Sequence, residues 1–256
     1  MHPFIHIGHL SFPTFGLMLC LAGFCAFLVL QADLRRRSIK LDAAEVLVYG
    51  AAAGIAGSKL WHVLETPRQL LANPIGLLFD RTGFAWFGGL LAGIIALIAV
   101  GWRAGLKPLP MLDACAPAAA IGYGVGRIGC LLSGDGDYGI PTLLPWAMSF
   151  PHGTVPTLQH VHPTPIYEFA VAMFIAWYLW RRGMKNIRGL IPAGQITGEY
   201  FILSGTARFL VEFIRINPRI FWGMSNAQVA SLASIAVGVV ILASLRRPLQ
   251  PALASE

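Results

Sequence analysis

Two arginines lie within, or at the edge of, segments apolar enough to cross a bilayer. One is Arg127 and the other is Arg208. A guanidinium in or near hydrocarbon is costly, so it usually faces a partner, a water-filled cavity or an anionic ligand. The two arginines therefore predict a site that binds a phosphate group at a membrane.

Acidic and basic residues recur around the second of these arginines. Arg208, Glu212 and Arg215 follow one another at i, i+4 and i+7, which predicts that they lie on one face of a single helix. Glu212 can hold Arg208 in place while the remaining donors of the guanidinium face a ligand. The alternative is an internal ion pair that only fixes helix packing.

A glycine-rich turn follows the first arginine. Between Gly129 and Gly139 the chain also contains Gly134 and Asp135, and such a turn exposes backbone N–H groups that suit an anion beside a guanidinium. The alternative is a tight turn in which Arg127 extends to lipid headgroups. Downstream, His162 precedes an apolar helix and is a candidate base, although an interfacial histidine is more often structural.

Composition places the chain in a membrane. Of 256 residues 56% are hydrophobic and 12% are charged, with a mean hydropathy of +0.65, which exceeds the apolar share of ordinary soluble domains. The net charge of +7 does not predict nucleic-acid binding, because no basic face, zinc spacing or heptad accompanies it. The four cysteines have neither metal spacing nor a disulfide pattern, so we expect no metal and no cofactor.

Helices long enough to span a bilayer must position these residues. The sequence predicts an all-α polytopic membrane protein with one transmembrane domain over residues 1–256. Its seven predicted spans are 11–31, 44–64, 84–102, 110–132, 164–181, 195–215 and 226–245. The polar segment 133–163 between the fourth and fifth spans is too broken by glycine and proline to cross, and we expect it to form a small external cap or loop.

Basic residues cluster in alternate loops. Twelve of the 19 lysines and arginines fall on one side of the predicted bundle, the last two being Arg246 and Arg247. Because lysine and arginine are enriched in cytoplasmic loops, we expect the N-terminus outside and the C-terminus in the cytoplasm. The cap over residues 133–163 then lies outside.

Five short segments, in this order, resemble the bacterial prolipoprotein diacylglyceryl transferases. They are Gly16-Leu17-Met18, Phe87-Gly88-Gly89-Leu90, Gly126-Arg127-Ile128-Gly129 continuing to Gly139, His162-Pro163-Thr164-Pro165-Ile166-Tyr167-Glu168, and Arg208-Phe209-Leu210-Val211-Glu212-Phe213-Ile214-Arg215. The similarity covers most of the chain. Its most specific parts surround Arg127 and Arg208.

The resemblance implies a fold, a reaction and a location. That family has seven helices in the bacterial inner (cytoplasmic) membrane and transfers the diacylglyceryl group of phosphatidylglycerol to the lipobox cysteine of a prolipoprotein, releasing glycerol phosphate. The implied partners are phosphatidylglycerol, the prolipoprotein signal peptide with its lipobox, and membrane lipid. The substrate thiol is the nucleophile, so the chain needs no cofactor and no catalytic cysteine of its own.

The resemblance also implies site residues. Catalytic roles are expected for Arg127, Arg208 and Glu212, with His162 as a further candidate. The expected substrate-binding residues are Phe15, Phe87, Arg127, Gly129, Gly134, Asp135, Gly139, Arg208 and Arg215.

The chain departs from the family pattern around these residues. Phe87 stands where the family has a histidine, and Phe15 where it has a tyrosine. In the turn after Arg127, Cys130, Ser133 and Asp135 replace two asparagines and a glutamate. Because phenylalanine cannot accept a proton, the proton acceptor stays open among His62, His162 and Asp135.

Two alternatives to the transferase reading follow from these departures. The first is a relative that uses the same phospholipid with a different acceptor. The second is a non-catalytic bundle that binds or transports phospholipid.

Overall fold

The computed structural model describes residues 3–67, 70, 73–80, 85–220 and 222–245 of the chain. Within them, helices lie at all seven predicted positions, which confirms a mostly helical protein. The predicted first residue of the third span, residue 84, lies outside the described residues, as do Arg246 and Arg247.

The helices of the described residues are α1 (Thr14–Arg36), α2 (Ala43–Glu65), α3 (Pro74–Phe79), α4 (Trp86–Arg103), α5 (Pro108–Ser133), α6 (Thr164–Ile187), α7 (Gln195–Val211) and α8 (Asn226–Leu245). Of these, α1, α5 and α8 are long and apolar enough to cross a membrane, and α4 is apolar but shorter. The chain therefore has membrane-spanning helices, and the count of seven spans stays a prediction.

The predicted end of the sixth span is wrong by four residues. Helix α7 ends at Val211, and Glu212 caps it. The chain then tightens into i to i+3 backbone hydrogen bonds, such as that from Ile214 N to Val211 O at 3.1 Å, which is a common way to end a helix. Arg215 consequently lies beyond the helix and not on its face.

The chain divides into two compact units, one of Met1–Val29 with Cys115–Glu256 and the other of Leu30–Ala114. In the first unit, α5, α6 and α7 share a core of small and branched side chains. It contains Ala116, Ala120, Ile175, Ala176, Leu179 and Ile196. A Cβ on Gly124 would lie 3.1 Å from the Cβ of Ala172, so α5 approaches α6 closely, as its small residues predict.

Glycine also allows α7 and α8 of the first unit to touch. A Cβ on Gly205 would lie 2.9 Å from the carbonyl oxygen of Ser231, and one on Gly238 would lie 2.7 Å from that of Gly198. There is no room for these side chains, so the two backbones are in direct contact. Helix α8 is thereby held at a fixed distance from α7.

In the second unit, too, helices approach closely at glycine residues. Helix α2 packs on α4 where a Cβ on Gly89 would lie 3.1 Å from the carbonyl oxygen of Gly54. Lys59 of α2 donates from Nζ to the carbonyl oxygen of Asp80 at 2.8 Å. The glycines of α2 thus allow α2 and α4 to pack closely.

Two small antiparallel sheets add to the predicted helices. Strands β1 (Phe4–Ile7) and β2 (Leu10–Pro13) pair before α1, and β3 (Met148–Phe150) pairs with β4 (Thr157–Val161) inside the predicted cap. Tyr138, Phe150 and Val161 form a core under the second sheet. The cap is thus a folded hairpin.

Candidate active site

Three helices bring charged side chains together inside the first unit. Arg127 lies in the last two turns of α5, Glu168 in the second turn of α6 and Arg208 in the last turn of α7. The shared core of α5, α6 and α7 fixes the relative positions of these turns. The charged side chains therefore meet at one end of this three-helix group.

Glu168 joins the two arginines that the sequence singles out. Its Oε1 lies 2.8 Å from Nη1 of Arg208 and 3.5 Å from Nε of Arg127. Both guanidinium groups therefore contact a single oxygen atom. The predicted proximity of the two arginines is present in the structure.

Arg215 approaches the same carboxylate from the segment after α7. Its Nη1 lies 3.1 Å from Oε2 of Glu168. The backbone explains this position: Gly139 and Arg215 form an antiparallel bridge, and Ile140 N donates to Ile214 O at 2.8 Å. A Cβ on Gly139 would lie 2.5 Å from Ile214 O, so only glycine fits between these segments.

Asp137 closes the group of charges from the turn after α5. One carboxylate oxygen pairs with Nη1 of Arg127 and the other with Nη2 of Arg215. Thr164 at the start of α6 donates to the backbone carbonyl of Asp137 at 2.5 Å, which fixes the turn. Although burial acts to raise it, the charges of Arg215 and Arg127 hold the pKa of Asp137 below its ordinary value.

Glu212 completes what we call the ion cluster. Its Oε2 lies 3.0 Å from Nη2 of Arg208 and 3.6 Å from Nε of Arg215. The ion cluster is defined as three cations and three anions, Arg127, Arg208, Arg215, Asp137, Glu168 and Glu212. Mutual pairing is what makes six charges tolerable in an enclosed place.

The three arginines of the ion cluster differ in exposure. The side chains of Arg208 and Arg127 are 23% and 16% exposed, whereas that of Arg215 is 4% exposed. Arg208 and Arg127 are therefore the two that have donors within reach of a ligand. Arg215 contacts Asp137, Glu168 and Glu212 from a buried position.

Tyr123 adds a hydroxyl and an aromatic ring to the ion cluster. Its OH donates to Oε1 of Glu168 at 2.5 Å, and the guanidinium carbon of Arg127 lies 4.8 Å from its ring centre. The residue is one turn before Arg127 on α5, so both side chains share a helix face. Tyr123 thus helps to orient the arginine and the shared carboxylate.

Asp135 lies beside the ion cluster in the same turn. Ligand atoms of Cys130, Asp135 and Asp137 are within 4.8 Å of one another, and Nη1 of Arg127 donates to Sγ of Cys130 at 3.9 Å. Burial raises the pKa of Asp135 above its ordinary value. A cation at this trio would have to displace Arg127 and Arg215 from Asp137, which disfavours metal binding, and the expectation of no metal stays a prediction.

The predicted glycines serve as close-contact positions around the ion cluster. Gly134 has a φ of +59°, which suits glycine at the end of α5, and a Cβ there would lie 2.6 Å from Cα of Gly153 in the cap. A Cβ on Gly129 would lie 3.0 Å from Met18 and 3.4 Å from the ring of Phe15. Gly129 and Phe15 therefore pack α5 against the start of α1.

The remaining two predicted residues are placed differently. His162 contacts the hydroxyl of Tyr167 through Nδ1 at 3.3 Å, and Tyr167 in turn accepts from Trp146 Nε1 at 2.7 Å. Phe87 begins α4 in the second unit and is 45% exposed. Neither residue is an ion-pair partner within the ion cluster.

Three members of this site were absent from the predicted set: Tyr123, Asp137 and Glu168. The sequence contains a signal for two of them. Glu168 is an acid one turn into an apolar helix, and Tyr123 is four residues before an arginine in a span. Asp137 has no comparable signal, because it lies in a polar loop and one of its two arginine partners, Arg215, is 78 residues away in the chain.

Comparison with known proteins places the chain in a family. A family model described as prolipoprotein diacylglyceryl transferase matches residues 3–244. A protein of Clostridium tetani named phosphatidylglycerol–prolipoprotein diacylglyceryl transferase is 32% identical over 89% of this chain and 90% of its own length. One of the same name from Methylobacillus flagellatus is 33% identical over 95% of this chain and 96% of its own length.

The matched range includes every residue of the ion cluster, from Arg127 to Arg215. It also includes all of the second compact unit, residues 3–29 and 115–244 of the first, and all of the described helices except the final residue of α8. With this coverage, the chain belongs to the prolipoprotein diacylglyceryl transferase family.

Proposed function

We propose that the chain transfers the diacylglyceryl group of phosphatidylglycerol to the lipobox cysteine of a prolipoprotein, releasing glycerol phosphate. The observation that carries the proposal is the meeting of Arg127 and Arg208 at one carboxylate oxygen of Glu168. These arginines come from different helices and are partly exposed. Two such guanidinium groups form a fork for one phosphate.

In the proposed reaction the cysteine thiolate attacks the glyceryl carbon that carries the phosphate. A carbon–sulfur bond forms, the carbon–oxygen bond breaks, and the electron pair of that bond goes to the leaving phosphate oxygen. The phosphate begins as a monoanion and gains negative charge as it leaves. Arg127 and Arg208 stabilise this added charge, which lowers the barrier more than it strengthens substrate binding.

The proton of the attacking thiol goes to the carboxylate of Asp135 in this proposal. Asp135 lies beside the ion cluster, and a carboxylate oxygen of it lies within 4.8 Å of the Cys130 thiol. A carboxylate whose pKa is raised by burial is a stronger base than an exposed one. His162, the other candidate in this unit, instead contacts Tyr167.

The location of the reaction follows from the proposed topology. We propose that the chain lies in the bacterial inner membrane with its N-terminus outside, which places the cap and the ion cluster at the outer surface. Basic residues at the ends of α1, α4 and α6 support this orientation. An epitope tag inserted after His152 should be cut by protease added outside intact spheroplasts. A tag that is cut only after the spheroplasts are lysed would show the opposite orientation.

The proposed function is tested with purified protein in vesicles that contain phosphatidylglycerol labelled in its acyl chains. A synthetic lipobox peptide should acquire the label through a thioether, and the same peptide with cysteine replaced by serine should not. Headgroup label in the same vesicles should appear as glycerol phosphate in equal amount. Glycerol phosphate without labelled peptide would show a different acceptor, and bound lipid without either product would show a binding protein.

A further inference from the structure

Glu212 is the most enclosed acid of the ion cluster, and its two oxygens face different partners. Its side chain is 1% exposed. Oε2 faces Arg208 and Arg215, whereas Oε1 accepts from Nδ2 of Asn217 at 2.6 Å and from Oγ of Ser225 at 2.8 Å. One side of the carboxylate thus serves the arginines and the other is held by two neutral donors.

Ser225 directly precedes α8 and takes part in a reciprocal cap. Its Oγ accepts from Gln228 N at 3.2 Å, and Oε1 of Gln228 accepts from Ser225 N at 3.0 Å, as in a capping box. A hydroxyl has one hydrogen and two lone pairs. Since the cap uses a lone pair, the single hydrogen of Ser225 is left for Glu212.

Helix α8 gives this serine a fixed position relative to Arg208. The backbones of α7 and α8 touch at Gly198, Gly205 and Gly238, and Ser225 and Gln228 are each 2% exposed. The start of α8 therefore cannot shift against the end of α7 without breaking close packing. The position of the Glu212 carboxylate is set from α8 as well as from its own backbone.

We propose that Ser225, together with Asn217, is a positioning residue that holds Glu212 in the rotamer that orients Arg208 toward the phosphate. The two hydrogen bonds on Oε1 restrict the rotation of the carboxylate. The proposal rests on the proposed function, in which Arg208 stabilises charge on the leaving phosphate. It assigns α8, which contributes no charge to the ion cluster, a role in that step.

The test compares Ser225→Ala and Asn217→Ala with a matched control, Ser231→Ala. Ser231 is likewise a buried serine and lies within α8, but its hydroxyl donates to the Ala227 carbonyl at 2.6 Å. We expect kcat for diacylglyceryl transfer to fall about tenfold in Ser225→Ala and in Asn217→Ala, while KM for phosphatidylglycerol rises only a few-fold. Ser225→Thr, which keeps the hydroxyl, should restore most of kcat, and Ser231→Ala should match the wild type.

A double-mutant cycle separates positioning from mere stability. If Ser225 acts through Arg208, Ser225→Ala should cost little further activity when Arg208 is already lysine. Equal losses in both backgrounds, or equal losses in Ser225→Ala and Ser231→Ala, would overturn the proposal. So would full activity of Asn217→Ala.

A binding measurement keeps this test distinct from that of the proposed function. Phosphatidylglycerol in nanodiscs should bind the wild type and Ser231→Ala equally but Ser225→Ala a few-fold more weakly, as Arg208 loses its orientation. A wild type that binds this lipid without transferring it would reject the proposed function alone. Equal binding by Ser225→Ala, Ser231→Ala and the wild type would reject the positioning role.

Discussion

Helices α6 and α7 each contribute to two groups of charges, and the two groups are built differently. At one end lies the ion cluster. Toward the other end, Arg182 of α6 pairs with Glu199 of α7 through Nε at 3.0 Å and Nη2 at 2.5 Å. Gln195 also hydrogen-bonds Glu199, and Tyr178 lies close enough to interact with it, so each group combines an arginine, a glutamate and a tyrosine.

Exposure does not distinguish Arg182 from Arg208, because their side chains are 21% and 23% exposed. The difference lies in how the carboxylates are shared. Glu199 receives both donors of a single arginine, which is a complete bidentate pair. Glu168 is divided among Arg127, Arg208 and Arg215, so each arginine keeps donors for other partners. Sharing of a carboxylate among several arginines marks the group suited to bind an anion.

The largest expected effect on transfer comes from replacing the forked guanidinium of Arg208. Arg208→Lys keeps the charge but presents one ammonium, which cannot bridge Glu168, Glu212 and a phosphate together. We expect transfer to fall by about 100-fold or more, measured as labelled lipobox peptide formed per minute. Arg182→Lys is the matched control and should keep near-normal turnover, and equal losses in the two variants would remove the distinction between the groups.

The second-largest expected effect, on both stability and transfer, comes from changing Glu168, the carboxylate that three arginines share. Glu168→Gln leaves three arginines with one fewer anion, and removing one partner of a buried pair costs about 3–5 kcal/mol. We expect a marked fall in the thermal midpoint together with a loss of transfer. In Glu199→Gln the midpoint should fall less and activity should persist. A larger thermal loss in Glu199→Gln would show that the paired group holds the fold.

The two acids of the turn after α5 should respond to pH in opposite ways. The pKa of Asp137 is lowered, so its ionised form stabilises the fold above about pH 4, its unfolded value, and this is lost as pH falls through the folded pKa. The pKa of Asp135 is raised, so its ionised form opposes folding once pH exceeds the unfolded value. Thermal midpoints measured from pH 4 to pH 8 should show Asp137→Asn less stable than the wild type and Asp135→Asn equally or more stable.

Transfer activity tests the proposed role of Asp135 as the proton acceptor, which thermal midpoints do not report. Asp135→Asn should lose transfer despite its stability, because the amide cannot accept the thiol proton. Full activity in Asp135→Asn would assign the proton to another group.

The smallest expected effect concerns the two tyrosines. Tyr123→Phe removes the hydroxyl that donates to Glu168 but keeps the ring beside Arg127, so we expect transfer to fall by only about three- to tenfold. Tyr178→Phe removes the corresponding contact with Glu199 and should leave transfer unchanged. Equal rates for the two variants would mean that the hydroxyl of Tyr123 does not orient the shared carboxylate.

Much of the helical fold could be predicted from the sequence, because apolar length specifies a helix in a membrane protein. The bounds of α8 agree with the prediction, and those of α2 differ by one residue at each end. The end of α7 could not be predicted, since Ile214 leaves the helix to pair with Ile140, 74 residues earlier. The hairpin of β3 and β4 was also missed, because strands of three and five residues give little periodic signal.

The site was predictable where a charge stood alone in an apolar segment. Arg127 and Arg208 carried that signal, and the structure brings them together at Glu168. The stacking of Glu212 and Arg215 on one helix face was half right: Glu212 contacts Arg208 as expected, but Arg215 arrives through the bridge with Gly139. Asp137 shows the limit, because nothing local in the sequence indicates which of the two loop acids, Asp135 or Asp137, will pair with the arginines.

The equal numbers of positive and negative groups in the ion cluster bear on which lipids it selects. A neutral assembly exerts little attraction on an anion beyond its immediate neighbours. Discrimination between anionic and zwitterionic headgroups must then come from short-range hydrogen bonds between the headgroup and individual N–H groups of the arginines. Ionic strength barely alters such short-range contacts. Choice of lipid by this protein should accordingly be as sharp in concentrated salt as in dilute buffer.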